Sequence, residues 1–205
     1  MEDRGILDNY LDSSFAFIIN MMNKESQNFK QVSFPGANEQ VVTALDMTLQ
    51  LGQKAFEVAK EKGDEIWAIN VVSLFNSLLE NISGVSEVIP GILSLLLNEL
   101  SSAKTPEYKL MLLQGVLMCF WYDLGQSVGL LESQGQMPTF FQAVFEKVGG
   151  LEEDFEVKRF MLGLTSFLTP VNGEMPESVK DNYGNIMKAL AFLSSKSIEL
   201  RQKAL

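Results

Sequence analysis

Apolar residues in this chain recur at three- and four-residue steps almost from end to end, and that period belongs to helices rather than strands. Ile6, Leu7, Tyr10, Leu11, Phe15, Ile18, Ile19 and Met22 describe one amphipathic helix. Val41, Leu45, Leu49, Phe56 and Ala59 give a second apolar face, and Lys62-Gly63 ends it. Between the two, residues 30–37 form a loop in which Ser33-Phe34-Pro35-Gly36 is a turn signal. Asn38 is expected to cap the second helix, with Glu39 near its positive end. Asp64 caps a third that runs to about Asn81, and a fourth covers residues 87–100. Thr105-Pro106-Glu107 opens a fifth, with threonine as cap and proline in the first helical position, ending near Asp123. A short helix is expected over 124–131 and a polar linker over 132–136. Helices over 138–148 and 152–168 follow, separated by Gly149-Gly150 and closed before Pro170. Val171-Asn172-Gly173 reads as a turn, and residues 176–205 as helix with a break near Gly184. Runs of β-branched residues are short and do not alternate, so no strand is expected and the fold class is all-α.

Two series of segments repeat. The first starts from proline: VIPGILSLLLNEL from Val88, QMPTFFQAVFEKV from Gln136 and EMPESVKDNYGNI from Glu174. Three, seven and ten residues beyond each proline stand Leu93, Leu97 and Leu100; Phe141, Phe145 and Val148; and Val179, Tyr183 and Ile186. The prolines at 90, 138 and 176 are 48 and 38 residues apart. The second series contains VVSLFNSLL from Val71, LQGVLMCFW from Leu113 and MLGLTSFLT from Met161. A small residue holds its third place (Ser73, Gly115, Gly163), and Leu78, Phe120 and Leu168 follow five positions later. A small residue on an apolar face lets a neighbouring helix come close, which offsets the roughly 1 kcal/mol that glycine costs inside a helix. Two helix types alternating every 40 to 47 residues or so are the pattern of HEAT and armadillo-like solenoids. The expected architecture is therefore an α-solenoid of antiparallel helix pairs, over residues 6–62, 64–102, 105–149 and 152–205.

Composition narrows the chemistry. The chain has 205 residues, no histidine and one cysteine. Lack of histidine removes the commonest general base and the usual zinc ligand, so no catalytic residue, cofactor or metal site is expected. Cys119 lies in an apolar run and has no partner for an internal disulfide, which fits a reducing compartment. The net charge is −10, with the excess concentrated before residue 100, in Glu2, Asp3, Asp8, Asp12, Asp64, Glu65, Glu80, Glu87 and Glu99. Such a surface repels a phosphate backbone and favours a basic partner. No apolar run reaches the roughly 20 residues of a membrane span, and Met1 is followed by charges rather than a signal segment, so Asn81-Ile82-Ser83 stands as a glycosylation triplet by pattern alone.

With these residues laid out, the chain resembles the importin-β superfamily of nuclear transport receptors, in particular the C-terminal repeats of the importin seven and eight subgroup. GILSLLLNEL (91–100), KLMLLQGVLMCFWY (109–122) and the stretch 148–168 with FEVKRFMLGLTSFL carry the resemblance, which covers roughly residues 65–200. It implies a curved solenoid that binds cargo on its concave side, the GTP-loaded form of the small GTPase Ran, and Phe-Gly repeats of nucleoporins, moving between cytoplasm and nucleus. The family's principal Ran surface lies in N-terminal repeats that a segment of this kind does not contain. The chain is far shorter than such a receptor, and Leu205 ends a charged helix without a cap, so a fragment of a longer solenoid is expected.

Candidate partner-binding residues are the acidic cluster Glu152, Glu153, Asp154 and Glu156 and the aromatic pair Phe140 and Phe141. The cluster is suited either to a basic cargo segment or to stabilising the start of a helix. Adjacent phenylalanines cannot share one narrow stripe, so one of the pair is expected at the surface or against a neighbouring repeat. Trp67, Trp121 and Tyr122 suit either a groove or the core; Phe29 and Phe34 either anchor a partner or tuck the first loop down. Lys158-Arg159 and the tail of Lys188, Lys196, Arg201 and Lys203 read as a solvated face.

Overall fold

Thr43 decides where the second helix begins. Its hydroxyl oxygen accepts the Asp46 N–H at 3.1 Å, and the Asp46 carboxylate accepts in return from the Thr43 N–H and hydroxyl. This reciprocal box satisfies donors that a helix start otherwise leaves unpaired. In the computed structural model, which describes residues 3–24, 27–35, 41–171 and 173–203 (side chains of 3–12 and 35 excepted), nine α-helices are formed. They are α1 (Asp3–Lys24), α2 (Ala44–Lys62), α3 (Glu65–Asn81), α4 (Ile89–Ser102), α5 (Pro106–Tyr122), α6 (Leu124–Ser133), α7 (Met137–Val148), α8 (Asp154–Ser166) and α9 (Glu177–Lys203).

The chain is mostly helical, as its period requires, but it is not free of strands. Ser33–Pro35 (β1) and Val41–Thr43 (β2) pair antiparallel, with Phe34 opposite Val42. The expectation of no strand is corrected: three β-branched residues in a row, Val41 to Thr43, find a partner across the loop. Val41, read as helical and inward, is instead 70% exposed on β2. The proposed caps Asn38 and Glu39 lie outside the described residues, as do the side chains of Ile6, Leu7, Tyr10 and Leu11, the turn residue Asn172, and Leu205. Three further boundaries differ. α8 stops at Ser166, leaving Leu168 in a turn; Glu152 and Glu153 precede that helix; and α9 runs unbroken through Gly184. No atom lies within 4 Å of a Cβ built at Gly184, so the glycine needs no break and only lowers helix propensity.

The helices fall into two compact units, one of residues 1–85 with 103–108, the other of residues 86–102 with 109–205. In the first, α1 and α2 both pack against α3. α3 buries Val71, Val72, Leu74, Phe75, Leu78 and Leu79 around most of its girth, the signature of a central helix. Gly52 of α2 makes room for Phe75, whose ring atom Cζ would stand 2.5 Å from a Cβ at that position. α2 ends at Gly63, whose φ of 67° lies in the left-handed region and whose N–H returns to the Ala59 and Lys60 carbonyls. Phe29 is fully buried, so the first loop is tucked down, and Lys30 donates to the Gly84 carbonyl at 2.8 Å. The Glu65 carboxylate accepts the N–H groups of Lys104 at 2.6 Å and Thr105 at 2.7 Å, just ahead of α5.

In the second unit α4 packs on α6, α6 on α7, and α9 on both α7 and α8. Residues 112–120 of α5 are all buried. Close approach of α8 to α5 rests on Gly163, as the small residues of the second series imply. A Cβ at Gly163 would lie 2.6 Å from the Leu117 Cβ and 2.9 Å from its carbonyl oxygen. The proline series is shifted from its expected register. Pro90 and Pro138 are the second residues of α4 and α7, whereas Pro176 precedes α9 and its carbonyl accepts the first N–H bonds. Leu93, Phe141 and Val179 are buried in all three, but Tyr183 is exposed, and the shared inward position of α4 and α7 is six residues on, at Leu96 and Val144.

Candidate partner-binding surface

Phe140 and Phe141 are both buried. Of the two alternatives for the pair, exposure is excluded, because α7 is covered from two sides, and a ring contact with the segment expected as the next helix pair (152–205) is present. Phe140 meets Phe120 of α5 at 4.9 Å between ring centroids, and Phe141 meets Phe167 at 5.1 Å. These rings form one aromatic core, which removes both residues from any binding surface in this state. Trp121 is partly exposed, while Trp67 packs its ring against Phe15.

The acidic cluster is organised by the start of α8. The Glu156 carboxylate accepts the N–H of Glu152 at 3.0 Å and of Glu153 at 3.2 Å, and Glu153 completes a capping box with it. Asp154 pairs with Lys158 one turn on, lies 3.7 Å from the Arg201 guanidinium, and accepts from the Ser197 hydroxyl at 3.4 Å. Hydrogen bonding from Lys158 holds the Asp154 carboxyl below its ordinary value. Two of the four carboxylates therefore serve the helix start, and one ties α8 to α9.

Glu152 is the member of the cluster that borders a groove. That groove, of about 420 Å³, has Leu151, Phe192 and Leu200 among its walls, with Lys196, Glu199 and Lys203 beside them. A second groove of about 400 Å³ adjoins Phe192 and is lined by Phe145, Val148 and Lys188. Lys196 sits over the Phe192 ring at 5.9 Å and donates to the Gly149 carbonyl at 3.3 Å. These lysines, expected on a solvated face, border the two grooves, and Phe192, absent from the expectations, belongs to both. The available signal was Phe192 and Lys196 one helical turn apart, the spacing of a cation over a ring.

Elsewhere the side chains that sequence reading weighed for chemistry serve packing and capping. Cys119 is fully buried, and burial pushes its thiol well above the ordinary value, so it holds its proton. Asn81 donates its side-chain amide to the Ser77 carbonyl at the end of α3. Among the described residues no group of three or more Cys, Asp or Glu comes together that could hold a metal ion, and no helix is long and apolar enough to cross a membrane. Comparison with protein-family models, with curated proteins and with solved structures finds no match for this chain.

Proposed function

We propose that this chain is a protein-binding helical-repeat segment, its helix pairs stacked as an HEAT-like α-solenoid, and that it belongs to a nuclear transport receptor. The observation that supports the repeat is the sequence separation of its side-chain hydrogen bonds. Glu65 reaches Lys104 and Thr105 across 39 and 40 residues, and Gln126 reaches Ser86 across 40. Ser197 reaches Asp154 across 43, Arg159 reaches Gln114 across 45, Ser178 reaches Glu132 across 46 and Lys196 reaches Gly149 across 47. Lys30 to Gly84, across 54 residues, departs from the series, while the others fall between 39 and 47, a spread that neighbouring units of a stacked array make with each other. Gln114 with Arg159, and Leu117 with Gly163, also advance together along α5 and α8, as equivalent parallel helices of successive repeats do.

In this reading the working part is a broad surface rather than a pocket with chemistry in it. The acidic charge draws basic cargo segments, and the resemblance adds Ran and nucleoporins as partners of the whole receptor, in cytoplasm and nucleus, with no nucleic acid, cofactor or membrane insertion. Affinity capture from cell extract on the full-length protein tests the assignment. Cargo is expected to be retained, and to be released when Ran locked in its GTP form is added. Retention indifferent to Ran would sink the transport reading and leave a HEAT-like adaptor.

A further inference from the structure

Residues 103–108 belong to the first compact unit, although the chain on either side of them, 86–102 and 109–205, belongs to the second. Ala103 and Tyr108 are buried at the two ends of this segment, and between them Lys104, Thr105, Pro106 and Glu107 are exposed. One side chain fastens the exposed part. Glu65, the first residue of α3, accepts the Lys104 N–H on one carboxylate oxygen at 2.6 Å and the Thr105 N–H on the other at 2.7 Å. The Thr105 side chain bonds the same carboxylate. Thr105 stands just ahead of the first turn of α5 and directly before Pro106. An exposed threonine outside regular structure and followed by proline is the substrate pattern of proline-directed protein kinases. Thr169-Pro170 is the second such pair in the chain and is also exposed, but Thr169 donates its N–H to the Ser166 carbonyl rather than to a carboxylate.

We propose that Thr105 is a phosphorylation site and that Glu65 is the catch its phosphate opens, releasing residues 103–108 from the first unit. A kinase transfers the γ-phosphoryl group of ATP to the Thr105 hydroxyl oxygen. The new O–P bond forms as the bond to the departing ADP oxygen breaks, and the hydroxyl proton passes to the kinase's base and then to solvent. The product has lost its donor to Glu65 and carries close to two negative charges in its place. Set within hydrogen-bonding reach of a carboxylate, that group repels the anion which holds the Lys104 and Thr105 amides. The start of α5 offers the phosphate a partial positive charge of about half a unit, against the full negative charge of Glu65. Lys104, whose charge now favours the Glu65 carboxylate, is drawn to the phosphate instead. The proposal goes beyond the protein-binding reading and does not depend on it.

The test treats the full chain with ATP and a proline-directed kinase and locates the phosphate by mass spectrometry, with Thr105→Ala, Thr169→Ala and Glu65→Ala beside the parent. Phosphate is expected on Thr105, and about tenfold faster in Glu65→Ala, because the kinase must open the catch before it reaches the hydroxyl. Hydrogen exchange then reads the release. Phosphorylation is expected to speed the amides of Lys104, Thr105, Glu107 and Tyr108 about tenfold or more while those of Val71 to Leu79 in α3 keep their rates. Thr105→Glu, which sets a carboxylate opposite Glu65 without a kinase, is expected to speed the same four amides by a smaller factor. Unchanged circular dichroism establishes that the variants fold. No phosphate on Thr105, or phosphate on Thr169 alone, overturns the proposal. So does a rate unchanged by Glu65→Ala, or a phosphate on Thr105 that leaves exchange over 103–108 as it was. Exchange that rises equally through α3 also overturns it, since the modification would then loosen the whole unit rather than one segment. Thr105→Glu no faster in exchange than Thr105→Ala would mean that the lost hydroxyl, not the charge, is what matters, and the catch would fail.

Discussion

Gly163 and Gly184 both sit inside helices, yet alanine at the two positions is expected to act in opposite directions. A methyl group at Gly163 meets the Leu117 Cβ and carbonyl oxygen, neither of which can swing aside, so α8 must move off α5. Overpacking of this kind costs about 1–3 kcal/mol, against roughly 1 kcal/mol gained in helix propensity. At Gly184 nothing is within 4 Å, and the propensity gain of about 0.5–1 kcal/mol stands alone. Urea unfolding is therefore expected to show a lower midpoint for Gly163→Ala and a higher one for Gly184→Ala. A raised midpoint in the first would contradict the close approach. Glu65 makes a different residue-scale prediction. Hydrogen bonding from the Thr105 side chain, then from the Thr105 and Lys104 amides, outweighs burial and holds its carboxyl below the ordinary 4.5. A depressed folded value means that the stabilisation is fully present above pH 4.5 and is lost as pH falls through the folded value. Glu65→Gln is expected to be less stable than the parent at neutral pH, with the gap closing on acidification below that point; a gap constant from pH 7 to 3 would refute the assignment.

At the scale of elements, the start of α8 separates capping from partner contact. Glu156 accepts two N–H groups there, so Glu156→Ala is expected to cost about 1 kcal/mol by chemical denaturation. Glu152→Ala removes only an exposed side chain and is expected to change stability by less than about 0.5 kcal/mol. Equal losses would mean that the cluster is not organised as a cap. The same helix shows what could be read from the residues. Aspartate ahead of an apolar run located the start of α3, Gly63 the end of α2, and glycine in the second series the tight contact with Leu117, because each signal is local or concerns one face. The β1–β2 pair was not legible: three residues per strand carry no measurable alternation, and their pairing is a tertiary event. Burial of both Phe140 and Phe141 escaped for a related reason. A period marks one stripe, and α7 is covered on two sides by helices that the period does not locate. The groove beside Phe192 was missed because one exposed ring on an otherwise polar flank looks like noise until α7 and the α7–α8 turn are placed against it.

For the molecule as a whole, charge is the term that solution conditions can vary without touching packing. The ion pairs of Lys54 with Glu57, Lys180 with Glu177 and Lys203 with Glu199 are exposed and one turn apart, and water and salt screen such pairs until they contribute little. Against them stands a net charge of −10, whose self-repulsion opposes every compact state. Screening weakens both, but the repulsive sum runs over many more pairs than the attractive one. Raising sodium chloride from about 20 mM to 300 mM, where the Debye length shrinks from roughly 20 Å to 6 Å, is therefore expected to raise the melting temperature by a few degrees. Acidification toward the isoelectric point near 4.5 also relieves repulsion, but acidification beyond it protonates Glu65 and Asp154, whose charged forms are bound in the fold and titrate below their ordinary values, so acid is expected to destabilise the fold there. A melting temperature that falls with salt at pH 7 would mean that local pairs outweigh the global field. In that case the field would also be too weak to draw basic segments to the surface, and the charge argument for cargo would fail with it.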